Sequence, residues 1–180
     1  MKIFINPGHG GTDTGAVGNN LIERDVNLFI SQRVETYLQA VGYDTMLFQY
    51  DGLQAICNEA NNWNADLFVS IHCNAGGGFG TESFYISERG KLLATAIQNQ
   101  IVSSVATFNR GVKFDDEFFV LANTNMPAVL VECAFIDNPN DAKLLRDRED
   151  DFASAIARGI SDFVAKLRPP PDVIDLPRRS

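Results

Sequence analysis

Histidine is nearly absent from this chain, with two residues among 180. Other features are missing as well. Only three cysteines occur, Cys57, Cys73 and Cys133, with no CxxC pair. An odd count of that kind argues against a disulfide framework and fits a reducing compartment. No Lys/Arg cluster appears before the tail and the formal net charge is −8. That balance argues against a nucleic-acid binder, which presents a basic face. No apolar run approaches the roughly 18 residues of a membrane span. No leader-like segment precedes the first strand-like run. The protein is thus expected either to be made without a signal peptide or to be an excised part of an exported one.

What is present reads as an ordinary globular chain, 45% hydrophobic and 21% charged. Short apolar runs alternate with helical periodicities. Strands are expected at residues 2–7, 43–48, 66–72, 82–87, 118–121 (weakly) and 128–132. Helices are expected at 21–40, 53–63, 89–108, 140–145 and 148–167. The alternation predicts an α/β fold of three layers, with a mainly parallel sheet of about six strands flanked by helices. Residues 1–167 are read as one domain and 168–180, Arg-Pro-Pro-Pro-Asp-Val-Ile-Asp-Leu-Pro-Arg-Arg-Ser, as a Pro-rich tail or a linker to a further domain.

Both histidines fall where a strand should end. His9 follows Lys2 to Gly8, and His72 closes Leu67 to Ile71. Carboxyl ends of parallel strands line the ligand crevice of an open α/β sheet. Two histidines converging there suggest a metal, and zinc is well served by two histidines, one carboxylate and a water. Spacing leaves the carboxylate open among Glu23, Asp13 and Asp25. Glu23 fits best because it begins the first helix just after a glycine-rich loop, although an acid there is also favoured by the helix dipole alone. Glu132 ends the apolar run Pro127 to Val131, where a carboxylate needs a partner or a task. Cys73 and Cys133 follow His72 and Glu132. Strand alternation should turn them to the opposite face, as packed residues.

Several segments together resemble a known family. They are Gly8-His9-Gly10-Gly11, Thr12-Asp13-Thr14-Gly15-Ala16, Glu23-Arg24-Asp25-Val26-Asn27-Leu28, Ala65 to Ala75, and Met126 to Glu132. In this order they are similar to the zinc-dependent N-acetylmuramoyl-L-alanine amidases of the Amidase_3 family. The resemblance implies a Zn2+ ion held by His9, Glu23 and His72, with Glu132 as the catalytic carboxylate. It implies hydrolysis of the amide between N-acetylmuramic acid and L-alanine in peptidoglycan, as in endolysins and autolysins. Asn74 and Arg110 become candidate substrate residues, Arg110 because arginine reads carboxylates bidentately. The implied partner is peptidoglycan at the bacterial cell wall, with a possible cell-wall-binding domain beyond residue 180 and a monomeric state. The chain departs from the family pattern at Thr14, at Gln49-Tyr50 and at Ile56-Cys57. Two other functions compete: a zinc carboxypeptidase-like peptidase with the same ligands, and a non-catalytic cell-wall binding module.

Overall fold

The structure is a computed structural model that describes residues 1–167; the Pro-rich stretch 168–180 lies outside the described residues. A six-stranded sheet forms its middle layer. Four strands run parallel: β1 (Lys2–Pro7), β4 (Asp44–Leu47), β5 (Leu67–Asn74) and β8 (Ala128–Phe135). Two more, β6 (Thr81–Tyr85) and β7 (Asn109–Phe114), are parallel to each other, and β6 pairs antiparallel with β8. The spatial order is β4-β1-β5-β8-β6-β7. The expected mainly parallel α/β sheet is therefore present, with a reversed pair at one edge. A two-residue ribbon, β2 (Val17–Gly18) with β3 (Leu21–Ile22), sits in the glycine-rich loop.

The helices are α1 (Glu23–Ala40), α2 (Leu53–Asn62), α3 (Glu88–Ser104), α4 (Phe119–Ala122), α5 (Pro139–Asp147) and α6 (Glu149–Leu167). Strand alternation splits the core in two. Ile3, Ile5, Val69, Ile71, Val129 and Val131 point toward α1, α3 and α6. Phe4, Phe68, Ala128 and Leu130 point toward α2 and α4. Cys73 and Cys133 belong to the first layer and are buried, as alternation required. His72 and Glu132 occupy the second face, in the same rows as Phe68 and Leu130.

Two segments depart from the sequence expectation. The sequence reads Phe118 to Leu121 as a weak strand. It is a single helical turn, in which the amides of Leu121 and Ala122 donate to the carbonyl of Phe118. The sixth strand is instead β7, just past the expected helix end at residue 108, in a stretch where no strand is expected. Its residues Asn-Arg-Gly-Val-Lys-Phe are largely polar and include Gly111 at φ +88°. An edge strand need not be apolar, since one side faces water, so hydrophobic patterning does not reveal it. His72 and Glu132 also fall short of their strand ends, because β5 and β8 run on to Asn74 and Phe135.

Helices α3 and α6 meet closely at Gly159, where an added Cβ would lie 2.4 Å from Ile97 Cα. Gly159→Ala improves helix propensity by about 1 kcal/mol. The contact is with backbone, however, and overpacking of that kind costs about 1–3 kcal/mol. Gly159→Ala is expected to lower the denaturant midpoint of unfolding; a raised midpoint would show that the two helices separate freely.

Candidate metal centre

Glu23 is the first residue of α1, yet its carboxylate reaches across to two strands. Oε2 lies 3.1 Å from His9 Nε2 and accepts from the Ala16 amide at 2.9 Å. Oε1 lies 3.1 Å from His72 Nδ1 and accepts from the Cys73 amide at 3.1 Å. The Asn27 side-chain amide donates to Oε1 at 3.3 Å and also to the Gly8 carbonyl. Glu23 is only 4% exposed. Burial acts to raise its pKa, but hydrogen bonds from His72 and His9 outweigh it and hold the carboxyl well below the usual range. The helix start is tied to the loop reciprocally, since the Glu23 amide donates back to the Ala16 carbonyl at 2.9 Å.

Close approach at this centre depends on two glycines. A Cβ on Gly8 would lie 2.2–2.5 Å from the His72 ring. A Cβ on Gly15 would lie 2.5–2.7 Å from His9 and Glu23 atoms, and Gly15 has φ +62°. His9 itself sits at φ +61°, a conformation uncommon for a residue with a side chain. Asp13 holds the ring from behind, with Oδ2 2.8 Å from His9 Nδ1, which leaves Nε2 facing Glu23. A carboxylate on the distal nitrogen is the usual way to orient a metal-binding imidazole. The hydrogen bond to Glu23 raises the His9 pKa; burial opposes it and Asp13 adds to it, giving about 9.

One donor atom from each of His9, Glu23 and His72 lies within 4.8 Å of the others. Two imidazoles and a carboxylate at that spacing fit one divalent cation, with the Gly15 side left clear of any side chain. Asp25 does not join the cluster, because it accepts from Arg24 Nε at 2.8 Å. Asp13 contacts only the far nitrogen of His9 within this cluster.

Glu132 stands in register with His72 on β5 and with Glu82 on β6. Its Oε2 is buried without a hydrogen-bond partner among the described residues. Burial raises its pKa to about 7; His72 opposes this, while Glu23 and Glu82 reinforce it. A carboxyl poised near neutrality, with a free oxygen beside a metal-type cluster, has the properties of a proton carrier.

Glu82 was not singled out from sequence, yet it organises the far side of the centre. Its side chain is 4% exposed. Oε1 accepts from Asn74 Nδ2 at 2.8 Å. Oε2 accepts from Arg110 Nε at 3.0 Å and from Lys113 Nζ. Asn74 and Arg110 are thus brought to one buried carboxylate. Arg110 also lies over the Phe135 ring, 4.9 Å from its centroid. The alternating pattern around Glu82 reads as half-buried strand; only its pairing opposite Glu132 marks it.

Comparison with known proteins places the chain as a whole. Residues 3–162 match the family model Amidase_3, described as N-acetylmuramoyl-L-alanine amidase. The chain is similar to the sporulation-specific N-acetylmuramoyl-L-alanine amidase of Bacillus subtilis, at 40% identity over 88% of this chain and 65% of that protein. It is also similar to N-acetylmuramoyl-L-alanine amidase LytC of the same organism, at 42% identity over 89% of this chain and 35% of that one. The chain therefore spans less than two thirds of these two relatives. Among solved structures, N-acetylmuramoyl-L-alanine amidase AmiC2 of Nostoc punctiforme superimposes with TM-score 0.87 at 34% identity, covering 92% of this chain and 97% of that one.

Metal-free His9 keeps its proton up to about pH 9. Its contact with Glu23 therefore stabilises the metal-free fold fully below the ordinary histidine pKa of about 6.5 and is lost as pH rises through about 9. A cation needs the neutral ring. At pH 7, titrating a divalent metal should release about one proton from His9, read by calorimetry in buffers of different ionisation enthalpy. Proton uptake, or none exchanged, would contradict this geometry. Gly15→Ala should weaken the same titration while leaving the fold intact by circular dichroism.

Proposed function

The chain belongs to the N-acetylmuramoyl-L-alanine amidase family, and from that premise we propose that it is a zinc-dependent peptidoglycan hydrolase. The bond cut joins the lactyl group of N-acetylmuramic acid to the L-alanine that opens the peptide stem. The observation that carries this reading is the convergence of His9, Glu23 and His72 beside an unpartnered Glu132 oxygen.

His9 and His72 would hold the ion through ring nitrogens, with Glu23 between them and Asp13 fixing the His9 ring. Zinc so held supplies Lewis acidity and lowers the pKa of water from about 15.7 to about 7. Glu132 then accepts the water's proton at Oε2 and delivers it to the departing amine of L-alanine. Its pKa of about 7 suits both directions of transfer at neutral pH. The reaction adds water across one amide and leaves a lactyl carboxylate and a free α-amino group. Arg110 and Asn74, anchored on Glu82, are proposed to face the stem peptide, with Arg110 meeting a carboxylate there. Action at the bacterial cell wall follows from that substrate. No helix among the described residues is long and apolar enough to cross a membrane.

Glu132→Gln should retain metal and lose about 10²–10⁴-fold in kcat, the usual worth of general acid–base help. His9→Ala and His72→Ala should lose metal and turnover together. Digestion of purified peptidoglycan, followed by mass analysis with and without chelator, should show stem peptides with free L-alanine amino groups, and intact glycan, only when metal is present. Release of C-terminal amino acids from the stem would instead mean a carboxypeptidase. Near-normal turnover by Glu132→Gln would remove the residue from the mechanism.

A further inference from the structure

A cleft of about 320 Å³ opens beside His9 and His72, and neither Glu82 nor Arg110 lines it. One wall is Tyr50, just beyond β4, and the facing wall is Phe119, at the start of α4; Asn6 and Leu130 also line it. Both rings are accessible, Tyr50 at 49% and Phe119 at 38%. Exposed aromatics are common, but Tyr50 is unusually well supported. Its ring is the outer member of a row that begins in the core. Phe68 and Phe4 stack with centroids 5.6 Å apart, Phe4 and Phe48 follow at 6.2 Å, and Phe48 and Tyr50 at 5.9 Å. Gly52 also presses close, since a Cβ there would lie 3.1 Å from the Tyr50 ring. One ring face is thus fixed by packing while another part of the ring stays open to the cleft.

Apart from the metal-centre residues His9 and His72, the charged side chains that line this cleft have one sign. Asp13 and Asp51 line it, and neither lysine nor arginine does. Arg110 and Lys113, which pair with Glu82 and do not line the cleft, are 30% and 41% exposed at their side chains. The two halves of a peptidoglycan substrate differ in the same way. A peptide stem ends in a free carboxylate, which the acidic cleft repels and the cationic side attracts. An N-acetylhexosamine ring of the glycan is uncharged, presents C–H bonds on its flat faces, and carries hydroxyls that the Asp13 and Asp51 carboxylates can accept. Those C–H faces suit the negative face of an aromatic ring.

We propose that the Tyr50–Phe119 cleft is the glycan subsite, taking an N-acetylhexosamine ring against Tyr50, so that the stem leaves over Arg110. This inference rests on the hydrolase reading for its substrate. It adds a direction of binding and names the residue that sets it.

The test measures binding of two probes to the whole zinc-loaded chain by calorimetry, so it does not depend on turnover. One probe is the stem-free disaccharide of N-acetylglucosamine and N-acetylmuramic acid; the other is a free stem peptide. Tyr50→Leu keeps apolar bulk and removes the ring, and Tyr50→Trp keeps a ring. Tyr50→Leu should weaken disaccharide binding about tenfold, the loss of one aromatic contact, and leave peptide binding unchanged. Tyr50→Trp should bind the disaccharide close to wild type. Phe119→Leu gives a second reading from the facing wall, with weakening of the same probe expected. Unaltered disaccharide binding in Tyr50→Leu, or weakening of peptide binding instead, would overturn the assignment. Absence of any amide cleavage in peptidoglycan would fail the hydrolase reading, whereas cleavage with the wrong probe pattern would fail the subsite alone.

Discussion

The Glu23 carboxylate is held by two histidine rings and two backbone amides while almost wholly buried. A buried anion is costly unless every lone pair is answered, and the surrounding conformations supply the answers. The loop after β1 curls so that the Ala16 amide meets Oε2. His9 accepts a left-handed backbone to bring its ring inward. Gly8 and Gly15 give up side chains where the rings pass. Such local strain tends to persist only where the surroundings over-determine it. Without metal, the proton on His9 stands in for a cation, and a bound divalent ion would replace it.

The parallel sheet supplies the second half of the site. Register sets His72 beside Glu132, and the reversed strand β6 sets Glu82 beside Glu132 from the other side. Three ionisable groups are thereby carried on adjacent strands, where packing fixes their backbones. Glu82 is neutralised by Arg110 and Lys113, while Glu132 Oε2 has no hydrogen-bond partner among the described residues. Two carboxylates on neighbouring strands therefore differ in role because their surroundings differ. Glu132 also shares the buried face with Leu130 and Ala128, so its low-dielectric setting comes from the same strand pattern that builds the core.

Much of this was legible in the chain itself. The alternating fold, the paired histidines and the lone acid closing an apolar run are visible in local pattern, although β5 and β8 continue past His72 and Glu132 to Asn74 and Phe135. Glu23 could not be separated from Asp13 and Asp25 by spacing, since all three lie near the same loop. The structure separates them by direction: Glu23 points between the rings, Asp13 stands behind one ring and Asp25 pairs with Arg24. Strand β7 was hidden by its polar edge composition, and Phe118 to Leu121 misled because one helical turn leaves no periodicity. Glu82, Gly15 and Tyr50 became informative only through contacts with residues distant in sequence, which no local pattern encodes.

The centre is tested most directly by X-ray absorption at the zinc edge on the stoichiometrically loaded protein. The expected first shell contains two imidazole nitrogens and carboxylate or water oxygens, at about 2.0–2.2 Å, with no sulfur. In that shell the imidazole scattering disappears stepwise when His9 and His72 are replaced. A zinc–sulfur distance near 2.3 Å, which would place Cys73 or Cys133 in the shell, or a shell unchanged by loss of Glu23, would contradict a site built on this buried carboxylate.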